Sequence, residues 1–214
     1  MISKTTDALL MIFTKNPELG KVKTRLANSV GDKVALNIYK FLLSHTVSVT
    51  KNLEIDKRVY YSEEIPENDL WPSASFSKKL QRGGNLGEKM ENAFQEAFNS
   101  NYKRVIIIGS DLLNLAQQDL ENAFLELGKN DVVIGPAKDG GYYLLGMKSL
   151  NSDVFKNKAW STSSVLSDTL KDFEGKKIKI LETRNDIDEI QDIEEDSILK
   201  KFIESRIFRQ SQKE

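Results

Sequence analysis

Apolar residues fall along this chain in two rhythms that alternate from end to end. Continuous apolar runs occupy residues 8–13, 105–108 and, within a strand expected over 131–135, residues 132–134, and each is bounded by turn-forming residues, as strands buried on both faces are. Between them the spacing becomes helical. Val34, Ala35, Ile38, Phe41, Leu42 and Val49 mark a helix over 31–50, and Met90, Ala93, Phe94 and Ala97 mark one over 86–99. Further helices are expected over 115–127, capped by Asn114 with Gln117 completing a capping box, from the Ser/Thr cluster at 161–164 to Phe173, and over 189–208. Shorter strands are expected at 58–61, 76–82 and, as an edge strand, 177–181. Strands alternating with helices predict one α/β domain over 1–208 with a mostly parallel sheet, and 209–214 as a frayed tail. The Asp139-Gly140-Gly141 turn between two apolar runs predicts a hairpin, which makes the sheet mixed.

The unusual residues stand where predicted strands end. Residues 14–26 read as a loop, because Pro17 and Gly20 break regular structure, and they carry Lys15, Lys21, Lys23 and Arg25 against the single acid Glu18. Such a segment is either a phosphate clamp, with Lys as point charges and Arg as a fork, or a solvated basic loop. Gly83, Gly84 and Gly87 precede or open the 86–99 helix, either presenting amides to an anion or making a tight strand-to-helix turn. Asp111 closes the run Val-Ile-Ile-Ile-Gly-Ser-Asp, at the place where open α/β sheets keep their ligands, and is the candidate metal carboxylate. Lys138-Asp139-Gly140-Gly141 follows the 131–135 strand and is either a plain hairpin turn or a charged, flexible part of the same site. Four strand ends pointing to one sheet edge argue for one site handling phosphate and metal.

Composition narrows the chemistry. With no cysteine and a single histidine, His45, thiolate nucleophiles, multi-histidine metal sites and Ser-His-Asp catalysis drop out. A metal would be held by oxygen, which points to Mg²⁺, Mn²⁺ or Ca²⁺. His45 itself reads as a packing or surface residue and Trp71 as a core anchor. Thirty-one basic against 32 acidic side chains give a net charge of −1, with no global field toward nucleic acid or anionic membrane. No signal peptide and no apolar stretch of the roughly 20 residues needed to span a bilayer is seen, so the expectation is a cytoplasmic protein.

The segments Lys15-Asn16-Pro17-Glu18-Leu19-Gly20-Lys21-Val22-Lys23-Thr24-Arg25-Leu26, Asn85-Leu86-Gly87-Glu88-Lys89-Met90, Ile108-Gly109-Ser110-Asp111, Gly135-Pro136-Ala137-Lys138-Asp139-Gly140-Gly141-Tyr142-Tyr143 and Trp160-Ser161-Thr162 together resemble the DUF2064 group. These are glycosyltransferase-A-like proteins of the nucleotide-diphospho-sugar transferase superfamily, and are similar also to phospholactate and molybdopterin guanylyltransferases. The resemblance implies a three-layer α/β/α sandwich that binds a nucleotide sugar or nucleoside triphosphate with Mg²⁺ or Mn²⁺ and acts on a small acceptor it does not identify. It implies phosphate or nucleotide contacts at Lys15, Gly20, Lys23, Thr24, Arg25, Gly84, Gly87, Gly140 and Gly141. Metal binding is implied at Asp111, with Asp139 as a second contact or the acceptor-activating base, and Lys23 and Arg25 as catalytic cations. Two features depart from the group: Leu112 and Leu113 stand where a small residue and Pro are usual, and no Asp-x-Asp lies mid-chain. The nearest match, Asp186-Ile187-Asp188, supplies either a second ligand or, as the first expectation, a cap for the last helix.

Three functions follow: glycosyl transfer from a nucleotide sugar, nucleotidyl transfer releasing pyrophosphate, or nucleotide binding without catalysis.

Overall fold

A computed structural model describes residues 6–194 and 199–200. A seven-stranded sheet holds the molecule together: β1 (Ala8–Thr14), β2 (Asp56–Tyr61), β3 (Ser77–Leu80), β4 (Arg104–Ile108), β5 (Val132–Pro136), β6 (Tyr142–Met147) and β7 (Ile178–Ile180). Their spatial order is β3-β2-β1-β4-β6-β5-β7, with only β6 antiparallel to its neighbours. Among the described residues the sheet is accompanied by the α-helices α1 (Thr24–Val30), α2 (Asp32–Thr50), α3 (Leu86–Asn99), α4 (Gln117–Lys129), α5 (Val165–Asp172) and α6 (Ile190–Glu194).

The continuous apolar runs are central because both of their faces are covered. Leu10, Ile12, Ile106 and Ile108 pack toward α2 and α4 through Leu43, Leu120 and Leu127. Leu9, Met11, Val105 and Ile107 pack the other way, toward Met90, Phe94 and Phe155. Alternate residues thus serve opposite layers, which makes an α/β/α sandwich. Ile106 and Ile107 are at most 4% exposed, and burying each such side chain contributes roughly 1.5–3 kcal/mol. A third cluster sits at one end of the sheet, where Leu26 of α1, Ile38 and Leu42 of α2 meet Ile187, Ile193 and Leu199.

Two local readings change. Residues 24–26 are the first turn of α1 rather than loop. Asn114 does not cap α4: the helix begins at Gln117, and Asp119 Oδ2 reaches back to accept the Ala116 N–H at 2.8 Å. The last helix is described only in part, and residues 201–214, including the expected tail, lie outside the described residues. Trp71 is buried edge-on against Phe76, and His45 Nε2 lies 2.8 Å from the Leu115 carbonyl, both packing roles.

β1 and β4 are neighbours whose outgoing connections leave in opposite directions, β1 leading through α2 to β2 and β4 leading away to the far half of the sheet. The carboxyl ends of these strands therefore bound an open crevice, the position where such sheets bind ligands.

Candidate active site

The crevice is walled first by the segment after β1. Asn16 fixes it: its amide donates to the Glu64 carbonyl at 2.8 Å and its side-chain oxygen accepts the Glu63 N–H at 3.1 Å. Val22 is buried, and the chain then turns through Lys23 in a left-handed conformation (φ 50°) to start α1. A non-glycine residue there costs on the order of 1–3 kcal/mol unless its surroundings hold it, and such strain concentrates at functional positions. It drives the Lys23 side chain inward, leaving it only 3% exposed.

The Lys23 ammonium lies 2.9 Å from Asp111 Oδ2 and 3.8 Å from Asp188 Oδ1. The approach is that of an ion pair, with the angles of a hydrogen bond unmet, so its buried protons have no hydrogen-bond acceptor among the described residues. Arg25 pairs with Asp188 at 3.0 Å from the exposed side. Lys21, counted with these cations in the sequence, instead pairs with Glu18 and Glu63 on the surface.

Beneath them a buried hydroxyl group ties the ends of β1 and β4 together. Tyr39 of α2 accepts the Lys15 N–H at 2.9 Å, lies 3.0 Å from Thr14 Oγ1 and 3.4 Å from Ser110 Oγ. Burial, then the nearby charge of Asp111, pushes the Tyr39 phenol up to about 12. Gln81, just after β3, does similar work, donating to the Thr14 and Tyr60 carbonyls.

Asp139 stands in the β5–β6 hairpin, where its Oδ1 accepts the Gly141 N–H at 2.8 Å and so fixes the carboxylate over the crevice. Two further carboxylates arrive from far along the chain. Residues after β7 run beside the end of β5, with the Arg184 N–H donating to the Pro136 carbonyl, and then pass Asp111, whose carbonyl accepts the Ile187 N–H at 3.2 Å. In this extended stretch Ile187 points into the core while Asp186 and Asp188 point together into the crevice. Their expected capping role gives way: the carboxylate of Asp192 takes the N–H groups of residues 188 and 189, and Asp188 is engaged by Arg25. The Asp186 carboxyl is held above its usual range by burial first, then by Asp139 and, more weakly, Asp111.

These groups line a polar lobe of about 490 Å³, which brings together Lys15, Lys23, Thr24, Arg25, Asp111 and Asp139 as the sequence predicts, and adds Asp186, Asp188, Tyr39 and Ser161. Gly141 lines the adjoining apolar lobe. Four predicted glycines lie outside both lobes, where the chain's own geometry accounts for them. Gly20 makes an exposed left-handed turn beside Asp32. The Gly84 N–H is taken by Glu88 at 2.7 Å, so that turn's anion site is filled by the chain's own carboxylate. A Cβ at Gly87 would lie 2.4 Å from the Phe155 carbonyl, and one at Gly140 (φ 90°) 2.4 Å from that of Ser163. Tyr39 and Gln81 were missed because each sits in a pattern that reads as ordinary helix or strand. Asp186 had a signal, its alternation with Ile187 and Asp188, but capping accounted for it equally well.

A sheet of this order with ligand-facing residues at its carboxyl edge defines the nucleotide-diphospho-sugar transferase-like fold. The crystal structure of a candidate nucleotide-diphospho-sugar transferase from Desulfovibrio desulfuricans G20 superposes with a TM-score of 0.80 at 32% identity, over 86% of this chain and 84% of that one. The chain belongs to the DUF2064 family, whose model, described as "Uncharacterized protein conserved in bacteria (DUF2064)", matches residues 46–162. It is 28% identical over 148 residues to the 2-phospho-L-lactate guanylyltransferase of Methanocaldococcus jannaschii, a match covering 67% of this chain but only 62% of that relative's length. A 4-diphosphocytidyl-2C-methyl-D-erythritol synthase from Anaerococcus prevotii shares the fold alone, with a TM-score of 0.55 at 11% identity over 86% and 92% of the two chains. No helix among the described residues is long and apolar enough to cross a membrane.

Proposed function

We propose that the protein transfers a glycosyl group from a nucleoside diphosphate sugar to a small acceptor, with a divalent cation in the polar lobe. One observation carries this reading: the lobe sets cations and carboxylates around a buried ammonium, that of Lys23, with no hydrogen-bond acceptor among the described residues. Lys15, Lys23 and Arg25 face Asp111, Asp139, Asp186 and Asp188, three positive against four negative charges, for a formal −1. A diphosphate alone would add negative charge to a lobe of its own sign, whereas a divalent cation bound with it cancels that added charge and leaves the lobe no more negative than before, while the diphosphate gives the underused Lys23 ammonium an oxygen to donate to.

The donor set suits such an ion. Among the described residues no three carboxylates or imidazoles are grouped tightly enough to hold a metal unaided. Mg²⁺ characteristically takes one or two carboxylates and completes its shell with water and substrate phosphate. Asp111 and Asp186 would supply the carboxylates, and what the cation contributes is compensation of charge on the leaving diphosphate. Lys23 and Arg25, with Lys15, hold phosphate oxygens. An acceptor O–H or S–H attacks the anomeric carbon as its bond to the β-phosphate oxygen breaks. The acceptor's proton passes to Asp139, and the nucleoside diphosphate leaves.

Nucleotidyl transfer is the second reading, favoured by the likeness to a guanylyltransferase. Calorimetric titration of UDP-glucose, GDP-mannose and GTP, each with and without Mn²⁺, tests for the donor, and ³¹P NMR of the turnover mixture separates the reactions. Release of nucleoside diphosphate supports glycosyl transfer, and release of pyrophosphate supports the second reading. Metal-independent affinity that Asp111→Ala leaves unchanged would count against both.

A further inference from the structure

The crevice has a second lobe of about 260 Å³, just under the usual range of roughly 300–1,000 Å³ for ligand pockets. It shares Asp111, Asp139, Asp186 and Ser161 among others with the polar lobe, and Met90, Leu112, Tyr142, Trp160 and Val165 are among the residues that wall it alone. Among the described residues its wall carries three carboxylates and no lysine, arginine or histidine, since Lys15, Lys23 and Arg25 all face the polar lobe.

These walls are built, not incidental. The Trp160 indole lies against Gly87 so closely that a Cβ there would come within 2.8 Å of the ring. Ser161 beside it is held at φ 66°, a conformation a serine adopts only when its surroundings fix it. Leu112, which departs from the small residue usual after Gly-Ser-Asp, is buried and presents its side chain to the lobe.

We propose that this lobe is the acceptor subsite, and that the acceptor is a small uncharged molecule with an apolar body and one nucleophilic hydroxyl or thiol. The inference rests on the transferase reading above. A phosphorylated or carboxylated acceptor would set its charge against three carboxylates, with apolar walls stripping its water and no cation to compensate. A divalent ion at Asp111 and Asp186 does not change this, because the donor diphosphate takes up its charge. An apolar body instead fills the lobe between Trp160, Tyr142 and Leu112, and places its hydroxyl at the junction where Asp139 faces both lobes.

The chain has two tryptophans, and Trp71 is buried against Phe76 away from the crevice, so Trp160 reports on the lobe. Phenylethanol and phosphoglycerate are titrated into the full chain with Mn²⁺ and UDP or GDP while tryptophan fluorescence is followed. The expected result is a saturable change with phenylethanol that Trp160→Phe abolishes, and none with phosphoglycerate. Val165→Phe, which fills the lobe, weakens phenylethanol at least about tenfold while UDP or GDP binding stays within about threefold. Leu112→Phe, from another wall, gives the same result and serves if the first variant does not fold. A saturable change with phosphoglycerate, or none with phenylethanol in protein that binds UDP or GDP, overturns the proposal. Phenylethanol binding in protein that binds neither nucleotide supports the class of ligand for this lobe and defeats the transferase reading instead.

Discussion

Lys23 and Asp111 form an ion pair whose two ends live in different surroundings: the ammonium lies 2.9 Å from Oδ2, but the lysine side chain is 3% exposed and the aspartate 40%. The pair should therefore respond unequally to loss of its two members. Asp111→Asn strands a buried cation, with only Asp188 at 3.8 Å to help. Breaking a fully buried pair costs roughly 3–5 kcal/mol, and the partial exposure here reduces that to about 1–3. Lys23→Met leaves a carboxylate that water reaches, and the expected cost is below about 1 kcal/mol. Urea midpoints of the two variants decide it, and equal losses would show that the pair is solvated at both ends.

In binding, the same two substitutions should part in the opposite sense. Lys23→Met is expected to weaken UDP or GDP at least about tenfold with or without Mn²⁺, because it removes a phosphate contact. Asp111→Asn should remove only the increment that Mn²⁺ adds. Calorimetry on both variants checks this, and a metal increment that survives in Asp111→Asn would place the ion elsewhere.

How much of this could be read from the chain depends on the range over which each signal acts. The runs at β1, β4 and β5 are visible because burial on both faces leaves no polar position to interrupt them. Lys23, Arg25, Asp111 and Asp139 were legible because each lies in the segment that leaves the carboxyl end of a strand, so local order already places them near one edge. Asp186 was ambiguous because its position depends on a backbone pairing to Asp111, 75 residues earlier, that no periodicity records. The glycines misled for the opposite reason. Gly87 and Gly140 announce close approach, but sequence does not say to what, and here the neighbours are Phe155 and Ser163 of the chain itself.

That distinction is testable. Gly87→Ala and Gly140→Ala should act on the fold, since a methyl group would meet a backbone carbonyl at 2.4 Å in either case, and Gly140 adds a positive φ. A loss of about 1–3 kcal/mol is expected for each. Gly141→Ala, which meets only Asp139 Oδ1 at 3.2 Å, should be better tolerated. A selective loss of nucleotide affinity in Gly87→Ala or Gly140→Ala, with the thermal midpoint unchanged, would return these glycines to the site.

Tyr39 predicts alkaline behaviour. Its phenol is pushed from 10 up to about 12, so the folded protein holds that proton more tightly than the unfolded chain does. The associated stability is complete below pH 10 and is lost as pH rises from 10 through about 12, because there the unfolded state binds fewer protons. Tyr39→Phe should flatten that part of the stability profile, while near neutral pH it removes the hydroxyl joining Lys15, Thr14 and Ser110 at a cost of about 1–2 kcal/mol. Denaturant titrations from pH 8 to 11.5 would show the difference, and parallel curves for the two proteins would exclude Tyr39 as its source.

Asp186 separates stability from function most directly. Burial, with Asp139 and Asp111 nearby, raises its carboxyl above the unfolded value, so folding favours the protonated form. That contribution is present below the unfolded pKa near 3.8 and disappears as pH rises through the folded one, which leaves an ionised and unfavourable carboxylate at neutral pH. Asp186→Asn removes the charge at little change in size. At pH 7, without metal, it should stabilise the protein by roughly 0.5–2 kcal/mol, as relief of a strained functional site commonly does. The gain should shrink in acid, where the wild-type group is neutral as well. If Asp186 is retained for a cation shared with the donor diphosphate, the same variant must also lose most of the Mn²⁺-dependent gain in UDP or GDP affinity. Thermal melts at pH 7 and pH 4 combined with calorimetry test both halves, and a variant that is less stable at pH 7 yet binds metal and nucleotide normally would make Asp186 a structural carboxylate and remove it from the site.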